Sequence, residues 1–114
     1  MTVILFVRDL LLRSRINASG AFTLQNPDWD DPVAGINPEE SVAVVDCNLK
    51  TPDAIELIRT LRRAHPKLTI VGFVSHVDGT TQAAAKEAGI TAVYPRSQFF
   101  GRTEEILRSA HDSL

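Results

Sequence analysis

Four consecutive apolar residues, Val42, Ala43, Val44 and Val45, run directly into Asp46 and then into the segment CNLKTPDA, which ends at Ala54. An unbroken apolar run this short is what a parallel strand covered on both faces requires, because neither face then meets water. A chain built around such a strand needs helices on both sides of a sheet. The same run places Asp46 at the strand's carboxyl end, the edge where open α/β sheets hold ligands and chemistry.

Other strand-like runs lie at Val3–Val7, Ala21–Leu24, Leu68–Val74 and Ile90–Tyr94, most of them separated by helix-like stretches. Asp9–Ala18 carries Leu10, Leu11, Leu12 and Ile16 and is followed by Gly20, a helix stop. Thr51 is a good N-cap with Pro52 at the first helical position, and Ile55, Ile58 and Leu61 repeat at helical spacing until His65, before Pro66. Asp78–Ala88 reads as a small alanine-rich helix closed by Gly89, and a last helix over Arg102–Asp112 carries Ile106, Leu107 and Ala110 toward the sheet. The expected architecture is α/β, a flavodoxin-like three-layer α/β/α sandwich with a five-stranded parallel sheet in the order 2-1-3-4-5, formed by residues 1–114 as a single domain.

One crossover lacks its helix. Between the second and third strands, Asn26–Glu40 contains Pro27, Pro32, Gly35 and Pro38, so at most a turn forms there. A sheet face without its covering helix buries its apolar side some other way, and Trp29, Val33 and Ile36 are the loop residues able to do it. The alternative is that a second subunit or a partner covers this face.

A formal net charge of −2 gives no electrostatic footprint for nucleic acid or an anionic membrane, which leaves proteins or small molecules as partners. Cys47 is the single cysteine, so no intrachain disulfide forms, and its expected role is that of a small buried hydrophobe. Val3–Val7 is interrupted by Arg8 and Asp9 and has no basic leader, so it reads as a strand and the expected location is the cytoplasm.

The VVDCNL segment around Asp46, the VGFVSH segment ending the fourth strand, the AGI tripeptide Ala88–Ile90 and the VYPRS segment after the fifth strand resemble the receiver domains of two-component response regulators. The resemblance covers nearly the whole chain. It implies that Asp46 is the phosphoacceptor equivalent and that Ser75 and Arg96 contact the phosphoryl group. It further implies a magnesium site from Asp9, Asp46 and the carbonyl of Asn48. A carboxylate attacks a phosphoryl group only where cations neutralise the charge that gathers between the two anions.

The departures from the family pattern fall on those cationic and metal-holding positions. Arg8 and Asp9 stand where the family has an acidic pair, and Arg96 stands where it has a lysine, followed by Ser97 instead of proline. Exchanging a carboxylate for a guanidinium changes the local charge by two units. Each unit at ~5 Å is worth roughly 3 kcal/mol at an effective dielectric of 20, so magnesium binding is expected to be weak or absent even after screening. Arg8 is expected to fill the pocket and pair with Asp46, and Arg96 to clamp a phosphoryl group or bind Asp46. The family's aromatic switch position falls near Val93, one residue from Tyr94.

His76 follows Ser75 and narrows access to Asp46, so that Arg8, His76 and Asp78 form a candidate pocket beside it. Ser75 and His76, as neighbours on an extended segment, point apart and make no hydrolase pair. Asp9, Asp46, His76 and Asp78 share one sheet edge and offer ligands for a transition metal. Arg59, Arg62 and Arg63, with His65 and Lys67, read as a solvated basic face, and Phe99 and Phe100 as staple and core residues.

The sequence thus points to a stand-alone receiver-like module of two-component signalling with a degenerate magnesium and phosphorylation site, acting through protein contact and not as an enzyme. With the last helix at the chain's end, output is expected through another molecule. The resemblance suggests a protein partner or a homodimer through the Asp78–Ala88 helix, the fifth strand and the Arg102–Asp112 helix, using Ala83, Lys86, Tyr94, Glu105 and Arg108. The alternatives are a working receiver phosphorylated on Asp46, and a small-ligand or metal-binding domain on a flavodoxin-like scaffold.

Overall fold

Alternating apolar strands and amphipathic helices close into two layers of helix around one sheet. The computed structural model describes residues 1–75 and 78–112. In chain order the elements are β1 (Thr2–Phe6), α1 (Leu10–Ala18), β2 (Thr23–Gln25), β3 (Ser41–Asp46), α2 (Ala54–Ala64), β4 (Thr69–Val74), α3 (Gly79–Ala88), β5 (Ala92–Pro95), α4 (Arg96–Gly101) and α5 (Thr103–Asp112). All strand pairs are parallel and the sheet order is β2-β1-β3-β4-β5, as the sequence predicts.

β3 and β4 sit in the middle of the sheet, and every residue of β4 and all of β3 except Asp46 is buried. Side chains alternate across the sheet. Ile4, Phe6, Ala43, Val45, Ile70 and Val74 face α2 and α3, while Val3, Leu5, Val42, Val44, Val71 and Phe73 face α1, α4 and α5. Gly72 belongs to the first of these faces. A Cβ there would come within 2.6 Å of Cys47 Sγ and 2.7 Å of Ile90 Cδ1, so only glycine lets β3 and the β5 approach pack this closely.

The crossover from β2 to β3 contains turns and no helix. Trp29, Val33 and Ile36 pack on the α2/α3 side of the core, so this loop does the covering that a helix would do. Trp29 meets Phe6 edge-on, with centroids 5.9 Å apart and an interplanar angle of 89°.

Four features differ from the sequence reading. The second strand is Thr23–Gln25 instead of Ala21–Leu24, because a turn closed by Phe22 N–H on the Gly20 carbonyl delays pairing with β1. α2 is capped by Asp53, whose carboxylate accepts from Glu56 N at 3.0 Å, and not by Thr51. Asp53 followed three residues later by Glu56 is the stronger start signal, and it displaces the proline start to the turn before the helix.

The third difference is α4, six residues that carry Phe99 into the core, where Phe73, Phe99 and Phe100 form a cluster with centroids 5.0 to 5.2 Å apart. Two adjacent phenylalanines give no helical periodicity, so RSQFFG had no legible helix signal.

Fourth, Arg62 leaves the basic face of α2. It donates to the carbonyls of Gly89 (2.8 Å) and Leu68 (2.7 Å) and to Thr91 Oγ1 (3.2 Å), tying α2 to the starts of β4 and β5. No helix among the described residues is long and apolar enough to cross a membrane.

Candidate functional site

Asp46 ends β3 half-buried at the carboxyl edge of the sheet, flanked by the loops that follow β1 and β4. Its Oδ1 accepts the N–H of Asn48 at 3.0 Å, which fixes the carboxylate over the turn into α2. Burial is the largest influence on its acidity and raises its pKa above 3.8; the Asn48 hydrogen bond and the Arg96 charge pull it down, and the Asp9 charge pushes it up. The last two influences place a carboxylate and a guanidinium within electrostatic range of Asp46. Cys47, next in the chain, is buried, and burial followed by the Asp46 charge pushes its thiol up to about 12, so it is an inert packing group.

Asn48 is the joint of the site. Its side-chain Oδ1 accepts the Ser75 N–H at 2.9 Å and its Nδ2 donates to Asp78 Oδ2 at 3.2 Å. Asp78 caps α3 by accepting from Thr81 N at 2.9 Å and from Thr81 Oγ1 at 2.6 Å, and these bonds, the hydroxyl's first, hold its carboxyl below the usual range. The end of β3, Ser75 and the start of α3 are therefore connected through one amide side chain. Sequence reasoning assigned Asn48 only a backbone carbonyl. Its position two residues beyond Asp46, on a turn facing the β4 to α3 loop, was the available signal.

Asp9 caps α1, its Oδ1 accepting from Leu11 N at 2.9 Å and Leu12 N at 3.2 Å. Arg8, expected to pair with Asp46, does not. Its guanidinium lies 3.9 Å from the centroid of Trp29 and its Nε donates to the Thr51 carbonyl at 2.9 Å. The crossover loop supplies a flat aromatic face, which suits a weakly hydrated planar cation.

Arg96, the first residue of α4, is exposed and lies 5.8 Å from the Phe73 centroid. Among the described residues no cation makes an ion pair with Asp46. Ser75 is half-buried beside this edge, while His76 lies outside the described residues. Among the described residues no three histidine, cysteine or acidic side chains converge as a metal site, and Asp78 is committed to Thr81 and Asn48.

The residues expected on an interaction face separate. Ala83 and Lys86 are exposed on α3. Tyr94 packs half-buried on the opposite face of the sheet with α1 and α5. Arg108 lies 5.3 Å from the Phe22 centroid, toward β2 and away from β5, and pairs with Glu104 at 3.4 Å. Glu105 is exposed and lies 3.6 Å from Arg102.

No protein-family model matches this chain, and no curated protein matches it. Solved structures do. A response regulator from Thermotoga maritima superposes with a TM-score of 0.79 at 13% identity, over 97% of each chain. The isolated receiver domain of NtrX from Brucella abortus gives a TM-score of 0.74 at 18% identity over the full length of both chains, and this chain spans 27% of the longer NtrX chain. A putative pilus assembly protein, CpaE, from Burkholderia thailandensis gives 0.73 at 16% identity over 98% of each chain. The chain has the fold of response-regulator receiver domains, and these identities speak to the fold alone.

The receiver resemblance read from the sequence implies magnesium at this edge. Asp46 and Asp9 each commit one oxygen to backbone N–H groups, and Arg8, at the position where the resemblance implies a further acid, is turned to Trp29. Two carboxylates with oxygens left over fit a hard divalent cation held by few protein ligands.

Proposed function

We propose that this chain is a receiver-like signalling module whose magnesium and phosphorylation site is degenerate, and which acts by contacting a protein. The observation that carries this reading is Arg8: a guanidinium stacked on Trp29 stands where the receiver pattern needs a third metal-holding acid. Magnesium, when bound, would supply the charge neutralisation that phosphoryl transfer to a carboxylate requires, and Asp9, Asp46 and the Asn48 carbonyl are the groups to hold it. With one acid missing, the cation is held weakly and Asp46 is phosphorylated poorly.

The remaining machinery suits a conformational relay. A change of charge at Asp46 acts on the Asn48 N–H, and the Asn48 side chain passes it to Ser75 and to the Asp78 cap of α3. The exposed surface of α3 around Ala83 and Lys86, beside the edge strand β5, is the surface this relay would present to a protein partner or a second copy. We assign no enzymatic activity of its own and a cytoplasmic location.

A second reading, phosphorylation on Asp46, is favoured by one observation: among the described residues no ion pair blocks the carboxylate. Intact-mass measurement after incubation with a small phosphodonor and magnesium, for wild type and Asp46→Asn, separates the two. No stable mass gain is expected. A phosphoryl-sized gain in wild type that Asp46→Asn abolishes would overturn the degenerate-site reading in favour of the second.

A further inference from the structure

Two departures from the receiver pattern meet in one contact. Arg8 replaces an acid, the crossover loop replaces a helix, and the guanidinium of the first lies 3.9 Å from the ring centroid of Trp29 in the second. Arg8 is held on its other side by the Thr51 carbonyl at 2.9 Å, while Trp29 is anchored edge-on to Phe6. Each of these contacts is weak, being a cation over an aromatic face at the surface and one hydrogen bond.

A second seat lies close by. Phe6 is abreast of Val45 in the β1–β3 pairing, so continuing that register sets Val7 abreast of Asp46 and Arg8 one residue further. Asp46 and Asp9 leave negative charge there that Arg96 offsets from a distance and that no ion pair among the described residues neutralises, and a long flexible arginine side chain released from Trp29 is drawn to it.

We propose that Arg8 is a positioning residue with two seats: docked on Trp29 it leaves the Asp9/Asp46 edge open to a divalent cation, and released it pairs with Asp46 and closes that edge. Docking of the crossover loop and cation binding then favour one another, since each requires Arg8 to stay off Asp46. The inference rests on the reading that Asp9 and Asp46 share a divalent cation.

The test uses Mn2+ as the probe, read by water-proton relaxation, on wild type, Trp29→Leu and the double variant Trp29→Leu/Arg8→Met. Trp29→Leu is expected to weaken Mn2+ binding by roughly five- to tenfold, and Arg8→Met in that background to restore it. A second readout needs no metal: the Nε–H resonance of Arg8, with and without Asp46→Asn. It should ignore Asp46→Asn in wild type and respond to it once Trp29 is replaced.

Trp29→Phe, which keeps an aromatic edge on Phe6, moves both readouts part of the way and serves if the leucine variant does not fold. Unchanged Mn2+ affinity in Trp29→Leu, with an Arg8 resonance still indifferent to Asp46→Asn, would refute the proposal. A wild type that binds no Mn2+ would instead refute the shared-cation reading, and the Arg8 resonance would decide the second seat by itself.

Discussion

Replacing Asn48 by alanine removes the acceptor of the Ser75 N–H and the donor to Asp78 Oδ2 while leaving the backbone N–H that holds Asp46. Both lost bonds are partly buried, at 2.9 and 3.2 Å, and each is worth about 1 kcal/mol net, so the variant should lose ~2 kcal/mol. For 114 residues an unfolding entropy near 2.1 cal/mol/K per residue converts that loss into a melting point lower by about 8 °C.

Urea titration checks the size. The midpoint should fall with the slope unchanged, because the exposed surface of the unfolded chain is the same. Hydrogen exchange checks the mechanism, since the Ser75 amide should lose protection more than the amides of β1 do. A loss under ~0.5 kcal/mol with Ser75 still protected would mean that Asn48 does not hold the β4 to α3 loop, and the relay from Asp46 to α3 would fall with it.

Two further outcomes follow from the same edge. Burial raises the Asp46 pKa above 3.8, so the stability tied to this group is fully present below that value and is lost as pH rises through the raised one. Asp46→Asn should therefore melt above wild type at neutral pH, with the gap closing as the pH falls below 3.8, in melting scans from pH 3 to 8. An asparagine variant less stable at neutral pH would show that the carboxylate is paired after all. Gly72→Ala forces a methyl group to within 2.6 Å of Cys47 Sγ and 3.2 Å of the Val45 carbonyl, an overpacking cost of ~1–3 kcal/mol. Adding Cys47→Ala should recover part of it, and strictly additive losses in denaturant would contradict the assigned clash.

What was legible in the sequence is what local pattern controls. Val42–Val45 read as an inner strand with Asp46 at the sheet edge, and the series of five strand-like runs, most of them separated by helices, fitted the flavodoxin-like strand order. Trp29, Val33 and Ile36 were legible as the cover for the missing helix because nothing else in that loop is apolar enough to do it. The misses at Arg8 and Arg62 share a different cause: long side chains whose partners are distant in sequence. Arg8 finds Thr51, 43 residues away, and Arg62 finds Gly89, 27 residues away, and neither destination leaves a trace in spacing or composition. Both were read by charge, as a partner for Asp46 and as part of a solvated face. Both are used for geometry, through the planar fork of guanidinium on carbonyls and an aromatic ring.

That distinction changes how the departures at the site fit together. Taken singly, an acid replaced by arginine and a helix replaced by a proline-rich loop read as two losses. An arginine beside Asp46 with no competing partner would pair with it, leaving the carboxylate neutralised and the edge closed. A loop that lays Trp29 over Phe6 with no cation above the ring would leave one aromatic face to water at the top of the sheet. In contact, each change removes the cost of the other: Trp29 seats the guanidinium away from Asp46, and the guanidinium covers Trp29. Mutual support between local choices is the mark of a consistent sequence. The asparagine joint and the α3 cap lie beside the same edge, and under the two-seat proposal losing Trp29 alone frees Arg8 to close it, so Trp29→Leu should disrupt cation binding more than the removal of both residues at once.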